Sequence, residues 1–367
     1  MYHVAVIGAG IAGMEAATRL AGMGYEVLVI EKDAQPGGHV AEWDRLFPFQ
    51  RNASLMSGEI LNEIRKRGTI KVLIETTVAD VQKSEDMFRI WLSDGQGITV
   101  SAILLSTGFK LFDAHRKEEY GYGIYDNVIT SADLEKMFAS GQPVTTRKGD
   151  KPQRVAFIHC VGSRDEKVNN RHCSQVCCAT AVKQACEMKQ MYPDAEVYCF
   201  YMDLRMFDRH FESMYLEAQM KYGVTFVRGR LSEAAESFDG RVAIKAEDTL
   251  MSKSLKITVD MLVLMVGMEA AEHTEGLADK LGIAVGKDGF LNPVDEYIQN
   301  NHTHREGVFV AGTCTGPKTI PETMADAGAA SVAIDEYLRG IKKEGRNIRE
   351  EIIERIRNRR ERIKAGR

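Results

Sequence analysis

The chain has 367 residues, enough for two domains or for one domain nested in another. With 44% hydrophobic and 27% charged residues it is ordinary for a soluble globular protein, and a net charge of −4 supplies no basic field for nucleic acid. No apolar run reaches the ~18 residues of a transmembrane helix. The opening MYHVAVIGAG runs straight into a folding motif and leaves no room for a signal peptide, so a cytoplasmic location is expected.

The first elements read as strand, tight turn, helix, strand over HVAVIGAGIAGMEAATRLAGMGYEVLVIEKD. Gly8, Gly10 and Gly13 form GAGIAG at the turn. The first glycine permits the turn, the second lets a pyrophosphate approach the backbone, and the third lets helix and strand pack closely. Anionic phosphates then face a helix N-terminus, with Ile11 and Ala12 in its first turn. Glu31 ends the next strand, where an acid would hold ribose hydroxyls, and Lys32 follows it. A β-rich stretch covers residues 71–105, and the sequence turns irregular after Gly108.

Three further stretches separate FAD from NAD. PGGHV at 36–40, with Gly38, His39 and Val40, resembles the second glycine pair of two-dinucleotide flavoproteins. LLSTGF, with Thr107 and Gly108, resembles their strand-ending motif. GVFVAGTC, with Gly312, Thr313 and Cys314, resembles the late strand that meets the ribityl chain. That motif usually carries an acid after the glycine; its absence here favours backbone contact. A helix from about Pro321, preceded by Thr319 and Ile320, points its positive end at the flavin pyrimidine edge.

Residues 140–153, rich in Gly, Pro and charge, read as a connector into a second strand–turn–helix: RVAFIHC, a turn, then ATAVKQACEMKQMYPD. AEVYCFYMDL, VTFVRGRLSEAAES, RVAIKAED and VDMLVLMVGM continue as strands. The turn lacks a glycine triplet and reads HCVGSRDEKVNNRHCSQVCC, with four of the chain's seven cysteines. Such clustering favours a metal or redox site over structural disulfides. Cys173 and Cys177, four apart, share a face if both are helical, with Cys178 turned about 100° away and Cys160 closing the set from the strand end. Soft thiolates select iron–sulfur or zinc, while a catalytic dithiol and unliganded core cysteines stay open.

CVGSRDE, HCSQVCC, AVKQA, YPDAEVY and VTFVRGR, together with TGFKLFDAHRKEEYGYGIYDNVITS and GVFVAGTCTGPKTIPETMADAGAAS, resemble the A subunit of heterodisulfide reductase from Tyr2 to about Leu338. The resemblance implies an α/β, thioredoxin-reductase-like fold with two dinucleotide-binding domains. FAD sits in a Rossmann-type domain, and a [4Fe–4S] cluster replaces the pyridine nucleotide in the inserted one, with Cys160, Cys173, Cys177 and Cys178 as ligands. The expected division is 1–140 and 269–340 for the FAD domain, 141–268 for the insert and 341–367 for a charged helical tail. Ferredoxin-type cysteine runs are absent, and LFPFQRNASLMSGE lacks a cysteine patch of longer members. The resemblance is therefore to the short form of sulfur-oxidising heterodisulfide reductase-like complexes, close to the flavoprotein A subunit of the quinone-interacting membrane-bound oxidoreductase complex. It implies an electron-transfer subunit in sulfur metabolism whose iron–sulfur and catalytic partner subunits supply the substrate site, with a homodimer allowed. A self-contained NAD(P)H-dependent disulfide reductase is the alternative, and a non-catalytic flavin scaffold a third reading.

The remaining candidates take plain readings. Cys186 and Cys199 are expected as buried apolar groups, and Met202, Met206, Met214 and Met220 as packing. Lys318 and Glu322 flank the late helix, to touch flavin or cap the turn. Asp165 and Glu166 are expected to repel a pyrophosphate. In the tail, Ile348, Ile352, Ile356 and Ile363 stand at helical spacing among excess Arg and Lys.

Overall fold

The computed structural model describes residues 2–341; the expected helical tail, 341–367, lies outside them from 342 on. The first parallel sheet places the strands in the order Val308–Val310, Ala102–Leu105, Val4–Ile7, Val27–Ile30 and Ile70–Leu73. Its inner strands VAVI, VLVI and AILL are buried at every residue, as unbroken apolar runs in a sheet covered on both faces should be. Helix α1 (Ile11–Gly22) follows the first strand, and α2 (Ala53–Lys66) precedes the edge strand. Residues 320–341 form the late helix, one residue earlier than the expected Pro321.

A second parallel sheet has the order Val128–Thr130, Met261–Val266, Arg154–Val161, Glu196–Tyr201, Thr225–Arg228. It carries helices α3 (Ser131–Ala139), α4 (Cys177–Met191) and α5 (Phe211–Met220). Val128–Thr130 and α3 fall in the stretch expected to be irregular. They are secured by a capping box in which Thr130 and Asp133 bond reciprocally. A strand at Lys253–Val259, unanticipated because MSKSLKITV alternates only weakly, completes an antiparallel sheet with Leu231–Glu236 and Val242–Asp248. Each parallel sheet thus has a three-stranded antiparallel companion, the other being Val78–Ser84, Met87–Leu92 and Gly97–Val100.

The chain passes between the two halves through a two-stranded ribbon, Phe109–Leu111 against Met268–Ala270. The second sheet therefore starts at Val128, ahead of the 140–153 connector, and ends beside the ribbon. Among the described residues no helix is long and apolar enough to cross a membrane.

Candidate functional site

Two sites emerge, one at the C-terminal ends of each parallel sheet, where open α/β sheets place their ligands. In the first, the three glycines of GAGIAG do different work. A Cβ at Gly8 would lie 2.4 Å from Ser106 O, and one at Gly13 would lie 1.9 Å from Gly8 O. Both glycines are demanded by the fold itself. A Cβ at Gly10 meets nothing within 4 Å, so that space is left for something other than protein. Gly38 packs over Gly10, with its own Cβ position 3.3 Å from Gly10 Cα, and Gly37 N–H donates to Ala9 O at 2.8 Å. The two glycine pairs therefore stand against each other.

Glu31 is buried and its carboxylate accepts from Ala9 N at 2.6 Å and Asp33 N at 3.0 Å. Beyond the same strand end lies a cavity of about 470 Å³ lined by Ala34, Gln35, Pro36, Leu61, Ile64, Arg65, Val72 and Ile74. Thr107 Oγ1 is buried with no partner among the described residues, and Gly108 adopts φ 73° facing Thr313. Gly312, at φ 80°, packs on Ala12. Ile11 and Val40 share one apolar cluster with Ile320. His39 Nε2 lies 3.0 Å from Phe109 O, and Lys32 is exposed and paired with Asp33. Thr319 caps the late helix reciprocally with Glu322, so Glu322 is committed to the turn. Cys314 is buried, its thiol donating to Ala311 O and Leu105 O, and burial pushes its pKa up to about 12.

Sequence reasoning missed the acid that belongs to this site. Asp326, buried on the late helix, accepts from Gly312 N at 2.8 Å and Asn301 Nδ2 at 2.7 Å, with Lys318 at 3.6 Å. The negative charge sits fourteen residues downstream of Gly312 instead of beside it, and it occupies the Gly312 N–H that was expected to face a ligand.

The second site is built where Arg154–Val161 breaks. Its register with Met261–Val266 shifts between Ile158 and Val161, and Cys160 adopts φ 59° at the break. Helix α4 begins only at Cys177, so Cys173 lies in the preceding loop and does not share a helical face with it. Cys177 and Cys178 occupy the first turn. Cys160, Cys177 and Cys178 are buried, with the Cys177 thiol interacting with the other two, while Cys173 is half-buried. Cys177 holds the Cys160 thiol below its usual pKa and takes Cys178 down to about 4, with His159 assisting at Cys178. Its own thiol is pushed well up, first by Cys160 and Cys178 and then by burial. Cys177 therefore holds its proton while Cys160 and Cys178 ionise more readily.

The loop between Cys160 and Cys173 is fastened throughout. Asp165 and Asn170 exchange backbone hydrogen bonds, and Arg164 N donates to His172 O. Ser163 and Ser174 hydroxyls meet at 2.5 Å, and Ser174 Oγ accepts from Met268 N of the ribbon at 2.8 Å. Asp165 is buried and bonded by Lys117 Nζ at 2.8 Å and Arg230 Nη2 at 2.9 Å. Its charge is therefore spent inside the protein and does not face an incoming pyrophosphate as expected. Phe112 fills the turn instead, for a Cβ at Gly162 would lie 2.0 Å from its ring.

Around the thiols, both ring nitrogens of His159, Arg164 Nη1 and Gln175 Oε1 are buried without hydrogen-bond partners among the described residues. A single ion needs ligands converging on one point, about 2.3 Å from each sulfur. Among the described residues no three Cys, His, Asp or Glu side chains converge in that way. The cysteines themselves are soft donors of the kind that bind zinc or iron–sulfur groups.

The family described as "NAD(P)-binding Rossmann-like domain" matches residues 6–59, and "Pyridine nucleotide-disulphide oxidoreductase" matches 178–331. The chain is 30% identical to the A subunit of the H(2):CoB-CoM heterodisulfide,ferredoxin reductase of Methanothermobacter marburgensis, over 91% of the chain and 64% of that protein. It is 32% identical to the iron-sulfur A subunit 1 of the CoB–CoM heterodisulfide reductase of Methanopyrus kandleri, over 90% and 63%. With the A subunit of the H(2)/formate:CoB-CoM heterodisulfide,ferredoxin reductase of Methanococcus maripaludis it shares 43% over 65% and 37%. The chain is thus similar to heterodisulfide reductase A subunits over most of its own length. It spans less than two thirds of the length of these relatives. Thioredoxin reductases of T. acidophilum and Lactococcus lactis superpose with TM-scores of 0.64 at 17% and 16% identity. They cover 93% of the chain and 99% and 100% of their own, which fixes the fold as thioredoxin-reductase-like.

Of the cysteines and methionines expected to pack in the insert, one does not. Cys186 and Cys199 are buried, Met214 is buried, and Met202 and Met206 pack against the same core. Met220 is 86% exposed at the C-terminal end of α5 and packs against little.

Proposed function

We propose that this chain is a member of the A-subunit family and an electron-transfer oxidoreductase subunit carrying FAD and a [4Fe–4S] cluster. It works in a cytoplasmic heterodisulfide reductase-like complex of sulfur metabolism. FAD is held over Gly10 between the two glycine pairs, with its adenine end toward the 470 Å³ cavity and Glu31 at the ribose. Thr107, Gly108 and Thr313 stand toward the ring side, and the N-terminus of the helix at 320–341 adds positive potential. Bound flavin would supply exchange between two-electron and one-electron chemistry.

Cys160, Cys173, Cys177 and Cys178 would hold the cluster, and the Cys177 thiol favours the thiolates of Cys160 and Cys178 beside it. The observation that carries the reading is the replacement of a nucleotide-binding turn by this cysteine loop, with the Phe112 ring against Gly162. Partner subunits supply the substrate site for thiol–disulfide chemistry. The internal stretch LFPFQRNASLMSGE, without cysteine, favours the sulfur-oxidising kind of complex.

Anaerobic purification of the tagged chain from its own host tests the assignment. Iron–sulfur and catalytic partner subunits should co-purify, and dithionite-reduced chain should pass electrons to them. A chain that purifies alone and reduces disulfides with NAD(P)H would overturn the reading.

A further inference from the structure

Arg164 stands in the first rung of the cysteine loop, at φ 53°, with Cys160 before it and Cys173 after it in sequence. Its guanidinium is held from one side only. Nη2 donates to Asp203 Oδ2 at 2.8 Å, whereas Nη1 is buried and has no acceptor among the described residues. Asp203 also turns its backbone carbonyl toward Cys178 Sγ, at 3.8 Å. One residue thus brackets the cysteine site and keeps Arg164 from swinging out to water. Cys160 and Cys173 both lie within electrostatic reach of the guanidinium. A buried N–H without an acceptor is a penalty the fold has no reason to keep unless something accepts from it.

Resting on the cluster reading above, we propose that Arg164 tunes the cysteine site. Its Nη1–H donates to a sulfur there and raises the reduction potential of the group the four thiolates hold. The sign follows from charge. The reduced state carries one more negative charge, and a cationic donor stabilises it more than the oxidised state.

The test is an anaerobic redox titration of full-length wild type, R164M and R164K, followed by electron paramagnetic resonance. Iron and acid-labile sulfide are measured on the same samples. R164M should keep its iron and, at the wild-type midpoint, show about a tenfold higher ratio of oxidised to reduced centre. For a one-electron couple that is a shift of about 59 mV to more negative potential. R164K keeps the charge without the planar fork and should lie between. Full iron with an unchanged midpoint in R164M overturns the tuning role and leaves the cluster reading intact. Absence of iron and sulfide from the wild type overturns the cluster reading itself. If R164M cannot hold iron, R164K decides: a lowered midpoint supports the proposal, and a native midpoint or loss of iron there overturns it.

Discussion

Gly10 is the residue at which binding and folding separate most cleanly. Gly8 and Gly13 are pinned by backbone contacts of 2.4 and 1.9 Å, so substituting them damages the fold whatever binds there. Gly10 faces open space, and Gly10→Val should yield folded protein with little or no flavin, read by absorbance and circular dichroism together. Full flavin content would displace the pyrophosphate from this turn. Glu31→Ala should weaken flavin binding and also loosen the turn, because Glu31 Oε2 accepts from Ala9 N. At the second site, Cys173 is the ligand candidate outside the helix and outside the buried trio. Cys173→Ser should therefore lose iron while retaining most flavin; equal loss of both would argue for a general folding defect.

At the scale of elements, helix α4 joins the cysteine site to a buried polar cluster two to three turns along. Lys183 bonds Glu135 of α3 and, at 3.0 Å, the carbonyl of Arg45; Asp44 N donates to Glu135 at 3.2 Å. These contacts tie the first half of the chain to the second. Glu187 lies 3.2 Å from Lys183, yet its carboxylate oxygens make no hydrogen bond among the described residues. Burial raises its pKa from 4.5 to about 7, with Glu135 and Asp44 adding to the rise and Lys183 opposing it. The folded state then binds more protons than the unfolded between those values, so stability falls as pH rises through that window. The full cost, on the order of 3 kcal/mol, is reached above the folded pKa. Urea unfolding at pH 5 and pH 8 should show wild type losing stability relative to Glu187→Gln; parallel profiles would exclude Glu187 as the source.

The same scale shows what the sequence made legible. Unbroken apolar runs such as VAVI and RVAFIHC marked the parallel strands because both faces of each are covered. Cysteine spacing marked the second site, although it placed Cys173 on a helix that begins four residues later. Asp326, Lys117 and Arg164 were not found, because each acts through a partner distant in sequence or a loop without period. Lys117 to Asp165 spans 48 residues, and Asp326 reaches Gly312 only after the late helix packs back. Charge alone misled at Asp165, which looked like a surface repellent and is a buried anchor.

For the whole molecule, the two halves repeat one plan, a five-stranded parallel sheet with a three-stranded antiparallel companion. Only the first keeps an open glycine turn. In the second, the strand breaks at Cys160 and the Phe112 ring lies against Gly162, leaving no room for a side chain at that turn. The chain should therefore not oxidise NADH or NADPH at a useful rate. Dithionite or an artificial one-electron donor should reduce it. Steady-state turnover with NAD(P)H near the ~10 s⁻¹ typical of enzymes would restore the self-contained reductase.

The central claim is that one dinucleotide site was kept and the other became a cluster site. Flavin, iron and acid-labile sulfide per chain, measured on one anaerobically purified sample, test it most directly. The expected result is about one flavin, four irons and four sulfides. One flavin with stoichiometric zinc and no sulfide, or with tightly bound NAD(P)H and no iron, would contradict it.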